Sequence, residues 1–222
     1  MSHRVKIRCA EMLNHNVKRF VTEKPTGYSF RPGQATLVEL PERPGDKHPF
    51  TFTSLATDKD LEFTIKLYPQ HHGMTDHLRE YKAGNELILG DPWGAIQYKG
   101  PGLFIAGGAG LTPFLAILRM LDQTEQLRDN ELWFSNRTDE DVFLVNELRE
   151  MLGDRVHFLI TEKTSAAYRH GRIDRRFLQE NLQNFRQFFY VCGPAKMVEQ
   201  VSAELEDLGA AKNRIVIEDL DS

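Results

Sequence analysis

The segment Leu103-Phe104-Ile105-Ala106-Gly107-Gly108-Ala109-Gly110-Leu111-Thr112-Pro113-Phe114 runs from an apolar strand through a glycine-dense turn into a helix start. Thr112 is a good N-cap, and Pro113 suits the first helical position, where a missing N–H costs nothing. Glycines let backbone approach a ligand closely, and the helix start beyond them offers unpaired N–H donors at a positive dipole end. That chemistry suits a diphosphate. No Lys-Ser/Thr pair follows the glycines, which argues against a nucleoside-triphosphatase loop. Pro113 stands where the standard dinucleotide fingerprint has its third glycine. Taken alone, the turn also serves as a tight strand-to-helix connection with no ligand. A second glycine turn, Cys192-Gly193-Pro194, follows the buried-strand run Phe188-Phe189-Tyr190-Val191. Both turns fall at the C-terminal ends of expected parallel strands, where open α/β sheets bind ligands.

The elements that must position these turns change rhythm along the chain. From Val5 to about Tyr98, short apolar or alternating segments recur: 5–9, 17–22, 36–40, 50–55, 61–68 and 86–89. Turn clusters separate them, at Arg31-Pro32-Gly33, Pro41-Glu42-Arg43-Pro44-Gly45 and Gly90-Asp91-Pro92. Short strands at this spacing predict a small antiparallel barrel or sandwich, interrupted by one helical piece near 75–81. From Gly100 onward strands (103–106, 132–135, 156–160, 188–192, 214–217) alternate with helices (112–122, 142–151, 175–182, 196–208), the pattern of a parallel sheet covered on both faces. The expected boundary is Lys99-Gly100-Pro101-Gly102, giving domains 1–99 and 100–222.

Composition narrows the function classes. The chain has 222 residues, 41% hydrophobic and 27% charged, with a net charge of −4. That suits a soluble globular protein and makes nucleic acid an improbable partner. No run of roughly 18 apolar residues predicts a membrane span, and no signal-type apolar stretch follows Met1. Two cysteines, Cys9 and Cys192, cannot supply four thiolates to an iron–sulfur or zinc site, and no metal is expected. His71-His72 reads as a solvated loop pair. A reducing cytoplasm is the simplest compartment.

Motifs in order along nearly the whole chain resemble the ferredoxin–NADP reductase family. Phe30-Arg31-Pro32-Gly33-Gln34 is similar to its F-x-P-G-Q, and His48-Pro49-Phe50-Thr51-Phe52-Thr53-Ser54 to its flavin signature R-x-Y-[ST]-x-x-S. Ile65-Lys66-Leu67 and Gly73-Met74-Thr75 resemble the elements that hold the flavin phosphates. Gly107–Phe114 resembles G-G-x-G-[IL]-[TA]-P, and Val191-Cys192-Gly193-Pro194 with Met197 resembles [VL]-C-G-P-x-x-M. The resemblance implies an antiparallel six-stranded flavin-binding β-barrel followed by an α/β parallel-sheet nucleotide-binding domain. It also implies roles: Phe50 stacks on the flavin, Thr51 hydrogen-bonds its reactive edge, and Gly108, Gly110 and Thr112 meet the nucleotide diphosphate. Cys192 lies near the nicotinamide, and Glu218 corresponds to a near-terminal glutamate of the family.

Departures from the family carry their own chemistry. His48 replaces a permanent, bidentate arginine with a group of unperturbed pKa ~6.5, leaving FAD expected and FMN open. Leu220 stands where many relatives place an aromatic ring over the flavin. The choice between NADPH and NADH is a matter of charge, because a 2′-phosphate wants arginine. Arg137 and Arg172 offer one. Glu162 opposes it, with Lys163 and Arg172 near enough in sequence to offset the carboxylate. The basic run around Arg169–Arg176 serves phosphate, an acidic acceptor protein or plain solvated surface. The function implied is an NAD(P)H-dependent flavoprotein reductase. It passes electrons through FAD to a separate acceptor, a ferredoxin, flavodoxin or partner oxygenase. The alternative is a non-catalytic flavin-binding electron-transfer or redox-sensing subunit with poor nicotinamide use.

Overall fold

The structure, a computed structural model, describes residues 1–94, 96–162 and 166–218. The expectations for Lys163 and Leu220 lie outside the described residues. The chain divides into two compact units: residues 1–94 with Thr112–Met120, and Ile96–Leu111 with Leu121–Glu218.

The first unit holds six antiparallel strands: β1 (His3–Met12), β2 (Val17–Glu23), β3 (Ala35–Glu39), β4 (Lys47–Thr51), β5 (Asp60–Lys66) and β6 (Glu86–Leu89). They form one sheet in the order β4-β3-β6-β1-β2-β5. A Phe52–Phe63 bridge joins the segment after β4 to β5, so the sheet curls until its two edges meet. Closure of this kind removes the exposed edges of an open sheet. Alternation explains the core: Val5 and Ile7 from β1, Val38 from β3 and Leu61, Phe63 and Ile65 from β5 all point inward. Phe30 stacks on Phe52 with ring centroids 4.1 Å apart, which places the F-x-P-G-Q turn beneath the signature segment. The fourth strand begins earlier than its hydrophobicity predicts, at Lys47 rather than Phe50. Pro49 is tolerated there because β4 pairs along its length with β3 alone, the closing bridge lying beyond it at Phe52, so its other side needs no ladder donor.

The helical piece expected at 75–81 is shorter than its pattern suggests. Helix α1 covers only Met74–His77, and Leu78–Glu80 tightens into a 3-10 turn. Helix α2 (Thr112–Gln123) contributes its first nine residues to this unit. There the Arg119 guanidinium donates to the Thr53 carbonyl and the Glu62 carboxylate, each at 2.6 Å. Both partners of that ion pair are mostly buried, so removing one would strand the other's charge.

The second unit is a parallel sheet in the order β10-β9-β8-β7-β11-β12. Its strands are β7 (Gly102–Gly107), β8 (Glu131–Asn136), β9 (Val156–Ile160), β10 (Arg169–His170), β11 (Phe188–Cys192) and β12 (Ile215–Ile217). The helices are α3 (Val145–Leu152), α4 (Arg175–Asn181) and α5 (Ala195–Asp207). The two-residue strand β10 is absent from the sequence expectation. Helix α3 starts three residues later than expected. Thr138 and Asp141 form a capping box around a 3-10 turn at Asp139–Asp141, and Leu144 takes a left-handed φ of 56°. Those two features use up the segment that hydrophobic periodicity assigns to helix.

Sheet order explains why the glycine turns matter. Successive strands run from β7 out to β10 on one side, then restart with β11 on the other side of β7. The order therefore reverses between β7 and β11. That switch point opens a crevice at the carboxyl ends of the strands, where both glycine turns emerge.

Candidate functional site

In the second unit the two turns pack on each other. A methyl group added at Gly110 would lie 2.2 Å from the Cys192 carbonyl oxygen and 2.6 Å from the Gly193 nitrogen. One at Gly107 would lie 2.5 Å from Met197 Sδ and 3.0 Å from Pro194 Cδ. At Gly193 it would come within 3.1 Å of the Gly107 backbone. Gly107, Gly110, Gly193, Pro194 and Met197 are thus one packed constellation. Gly110 is required first by this close approach of backbone to backbone, while Gly107 leaves room for the Met197 and Pro194 side chains. Gly108 adopts a φ of 53°, the left-handed turn that precedes the 3-10 segment Gly108–Leu111 and then Thr112.

Cys192 ends β11 beside Ala106 in the strand register, and its Sγ donates to Glu218 Oε2 at 3.5 Å. Burial pushes the Cys192 thiol well above its ordinary value, and the neighbouring Glu218 carboxylate pushes it the same way. Burial also raises the Glu218 carboxyl. Cys192 therefore stays a neutral thiol rather than a thiolate nucleophile, and the same burial disfavours the charged form of Glu218. At the end of β8, Asn136 is 5% exposed, yet neither Oδ1 nor Nδ2 of its side chain has a hydrogen-bond partner among the described residues. Buried amides are seldom left unpaired. Next to it, Arg137 Nε pairs with Glu162 Oε1 at 2.5 Å, and the Glu162 N–H donates to the Arg137 carbonyl at 3.0 Å. Arg172 is exposed between β10 and α4.

The first unit places its expected residues differently. His48 and Pro49 are exposed, Phe50 is half-buried and Thr51 is 8% exposed. Ile65, Leu67 and Met74 are core side chains, so only their backbone could face a ligand. The Leu67 N–H is already given to the Asn16 carbonyl. Lys66 lies on β5 opposite Val17. Thr75 Oγ1 accepts from the Tyr68 N–H at 3.3 Å, closing the loop that leads into α1. The far end of that short segment is anchored by Lys18. Its buried ammonium donates to the Arg79 and Tyr81 carbonyls at 2.7 and 2.6 Å.

Three residues that sequence patterns do not single out gather around His48. Asp46 Oδ1 accepts from His48 Nε2 at 2.8 Å, and its Oδ2 accepts from Arg43 Nε at 2.7 Å. Arg43 Nη1 in turn donates to His77 Nε2, on α1, at 2.7 Å. The hydrogen bonds from Arg43 and His48 hold the Asp46 carboxyl below its ordinary value. The one signal in the sequence is Arg43 within the turn cluster that precedes the signature.

Comparison with known proteins decides the family. An FAD-binding domain model matches residues 2–116, more than half of the chain, and an oxidoreductase NAD-binding domain model matches residues 104–203. The chain belongs to the ferredoxin–NADP reductase-like family. The reductase component of propane 2-monooxygenase from Rhodococcus jostii is 29% identical over 213 residues, covering 89% of this chain and 57% of that protein. NADH–cytochrome b5 reductase 1 from Arabidopsis thaliana is also 29% identical, over 89% of this chain and 76% of its own length. A ferredoxin NADP+ reductase structure from Neisseria gonorrhoeae, with bound FAD and NADP, shares the fold at a TM-score of 0.85. It is 20% identical, with 96% of both chains covered. This chain thus spans a little over half the length of the propane monooxygenase reductase component.

The residues present fit both groups that this family implies. A methyl group at Gly73 would meet no atom within 4 Å, so the backbone before α1 faces open space that a phosphate can approach. In the nucleotide unit, the unpaired Asn136 amide and the packed glycine turns lie at the carboxyl ends of parallel strands, as a dinucleotide requires. No helix among the described residues is long and apolar enough to cross a membrane. No group of His, Cys, Asp or Glu among them could hold a metal ion.

Proposed function

We propose that this chain is an NADH-preferring flavoprotein reductase that supplies electrons to a separate acceptor protein. The observation that carries this reading is the buried Cys192–Glu218 pair at the sheet's switch point, beside two interlocked glycine turns. A bound flavin supplies the redox chemistry, taking hydride from a dihydronicotinamide and yielding electrons to the acceptor. The protein's part is alignment. Thr51 holds the flavin's reactive edge through its hydroxyl, and Phe50 offers a flat apolar surface beside it. Cys192 presents an uncharged, polarizable surface where the nicotinamide ring lies, and Glu218 holds that thiol by accepting its hydrogen bond. The backbone of Gly108, Gly110 and Thr112 receives the dinucleotide diphosphate.

Preference for NADH follows from Arg137. The sequence expectation gave this arginine to a 2′-phosphate, but its Nε is engaged by Glu162 at 2.5 Å. A carboxylate beside the adenosine ribose accepts hydroxyl hydrogen bonds and repels phosphate. The relatives named as reductase components of oxygenase systems and as cytochrome b5 reductases support an acceptor that is itself a redox protein. Both described cysteines are free thiols, which suits a reducing cytoplasm.

Anaerobic mixing of the flavin-loaded chain with each nucleotide tests this. NADH should bleach the flavin, with kcat/KM at least about 10-fold above that for NADPH, a difference of about 1.4 kcal/mol. Glu162→Gln should narrow that ratio by freeing Arg137. A flavin-loaded protein reduced by neither nucleotide would overturn the reading. Equal use of both would overturn the NADH preference.

A further inference from the structure

FAD brings two negative charges on its diphosphate, and several of the first unit's arginines already face carboxylates remote from α1. Arg4 pairs with Glu86, Arg8 with Glu23 and Asp60, Arg19 with Glu11 and Glu62, and Arg119 with Glu62. Lys18 is buried against carbonyls. Aligned peptide dipoles add along a helix, and α1 has only four residues, so backbone alone offers a fraction of a full helix's field. A side-chain cation is needed where α1 and the signature strand come together.

The Arg43 cluster occupies that place. It draws on three segments: the 41–46 turn, β4 through His48, and α1 through His77. One carboxylate, Asp46, is shared between a guanidinium and an imidazole, and the guanidinium also reaches a second imidazole. The Arg43-to-His77 bond requires His77 to accept on Nε2 and carry its proton on Nδ1. The cluster is therefore rich in donors and short of anionic acceptors: a guanidinium with five N–H groups, two imidazoles and a single carboxylate. Arg43 is only partly exposed, held in a fixed orientation by its Nε bond to Asp46. A planar fork so oriented is suited to phosphate oxygens in a way a lone histidine is not.

We propose that Arg43, oriented by Asp46 between His48 and His77, is the permanent cation that binds the flavin diphosphate in this chain. This rests on the reading that the first unit holds FAD. His48, standing in the signature's arginine position, then serves to hold Asp46, and the guanidinium it lacks comes from five residues upstream.

The flavin-free full chain is titrated with FAD and with riboflavin, which carries the same ring and no phosphate. Arg43→Gln should weaken FAD binding by about 10- to 100-fold, the span expected for one charge-assisted bond, and leave riboflavin binding unchanged. In the Arg43→Gln background, His48→Arg should recover most of the lost FAD affinity by returning a guanidinium to the same cluster. FAD affinity in the wild-type protein should fall with added salt more steeply than in Arg43→Gln. An Arg43→Gln protein with wild-type FAD affinity overturns the proposal and leaves the reductase reading standing. Equal losses for FAD and riboflavin also overturn it, because Arg43 would then merely shape the loop. A wild-type chain that takes up no flavin overturns both.

Discussion

The two units make their candidate anion sites in opposite ways. The nucleotide unit uses backbone: a Cβ at Gly110 would drive into the Cys192 and Gly193 backbone, and Gly107 and Gly193 pack closely beside it. The flavin unit uses side chains: Arg43, Asp46, His48 and His77 converge from three segments, beside a Gly73 with empty space around it. Backbone sites are fixed by packing and tolerate almost no substitution. Side-chain sites are adjustable, and a charge lost at one position can be regained at another nearby. That difference explains how the signature arginine could be lost at His48 without the fold changing.

The sharpest way to break this comparison is a pair of glycine substitutions. Gly110→Ala drives a methyl group into the Cys192 carbonyl, and both partners are backbone, so nothing small can move aside. The cost should be at least about 3 kcal/mol in chemical denaturation. Gly73→Ala sits at a φ of −93°, ordinary for any residue, with no neighbour to meet. Its stability should stay within about 0.5 kcal/mol of wild type while FAD binding weakens. If Gly110→Ala cost less than about 1 kcal/mol, the interlocked turns would not be rigid.

A second pair sharpens it through tyrosine hydroxyls. Tyr190 is fully buried in the nucleotide unit. Its oxygen accepts from the Lys99 and Gly100 N–H groups at 2.9 and 3.1 Å and donates to the Gly100 carbonyl at 2.7 Å. Tyr190→Phe leaves two donors and an acceptor unpaired, a loss of about 1–3 kcal/mol. Tyr81 in the flavin unit donates instead to the exposed Glu42 carboxylate, where water can substitute. Tyr81→Phe should cost under about 1 kcal/mol. Thermal denaturation of the two variants should rank them in that order, and the reverse order would count against a flavin unit built for adjustability.

The same contrast accounts for what was legible in the chain beforehand. Strand and helix alternation, the six antiparallel strands and both glycine turns were visible because they depend on local periodicity and on residue types that few other roles demand. Cys192 and Glu218 were found by resemblance, and their burial and mutual contact emerge only in three dimensions. Arg43, Asp46 and His77 were invisible as a group. They lie up to 34 positions apart, and nothing in an Arg-Pro-Gly-Asp turn says which histidine it will meet. Strand β4 begins before the apolar run at Phe50 because Lys47, His48 and Pro49 are exposed and carry no hydrophobic signal. Ile65, Leu67 and Met74 looked like ligand contacts by position. Their side chains are core because β5 and α1 must first bury an apolar face.

The smallest expected effect concerns pH and the buried carboxyl beside Cys192 on the nucleotide side. Burial raises the Glu218 carboxyl above 4.5, its ordinary value, so the folded state favours the protonated form. A group raised on folding contributes stability that is complete below its unfolded pKa and is lost as pH climbs through its folded pKa. Asp46, Asp91 and Glu131 are shifted the opposite way, and their contributions fall on acidification instead. Those opposing slopes cancel when wild type is compared with Glu218→Gln at each pH. The difference in unfolding free energy between the two proteins should therefore decline from pH 4 upward, then level off once Glu218 is fully ionised. The amide oxygen of the variant can still accept from Cys192 Sγ, so geometry is kept while the titration is removed. Cys192 supplies an internal check. The Glu218 charge helps raise its thiol, so Glu218→Gln should bring the thiol down and speed its alkylation at alkaline pH. A flat stability difference across this range, with unchanged thiol reactivity, would mean that burial does not shift the Glu218 carboxyl and that it titrates as an ordinary surface carboxylate.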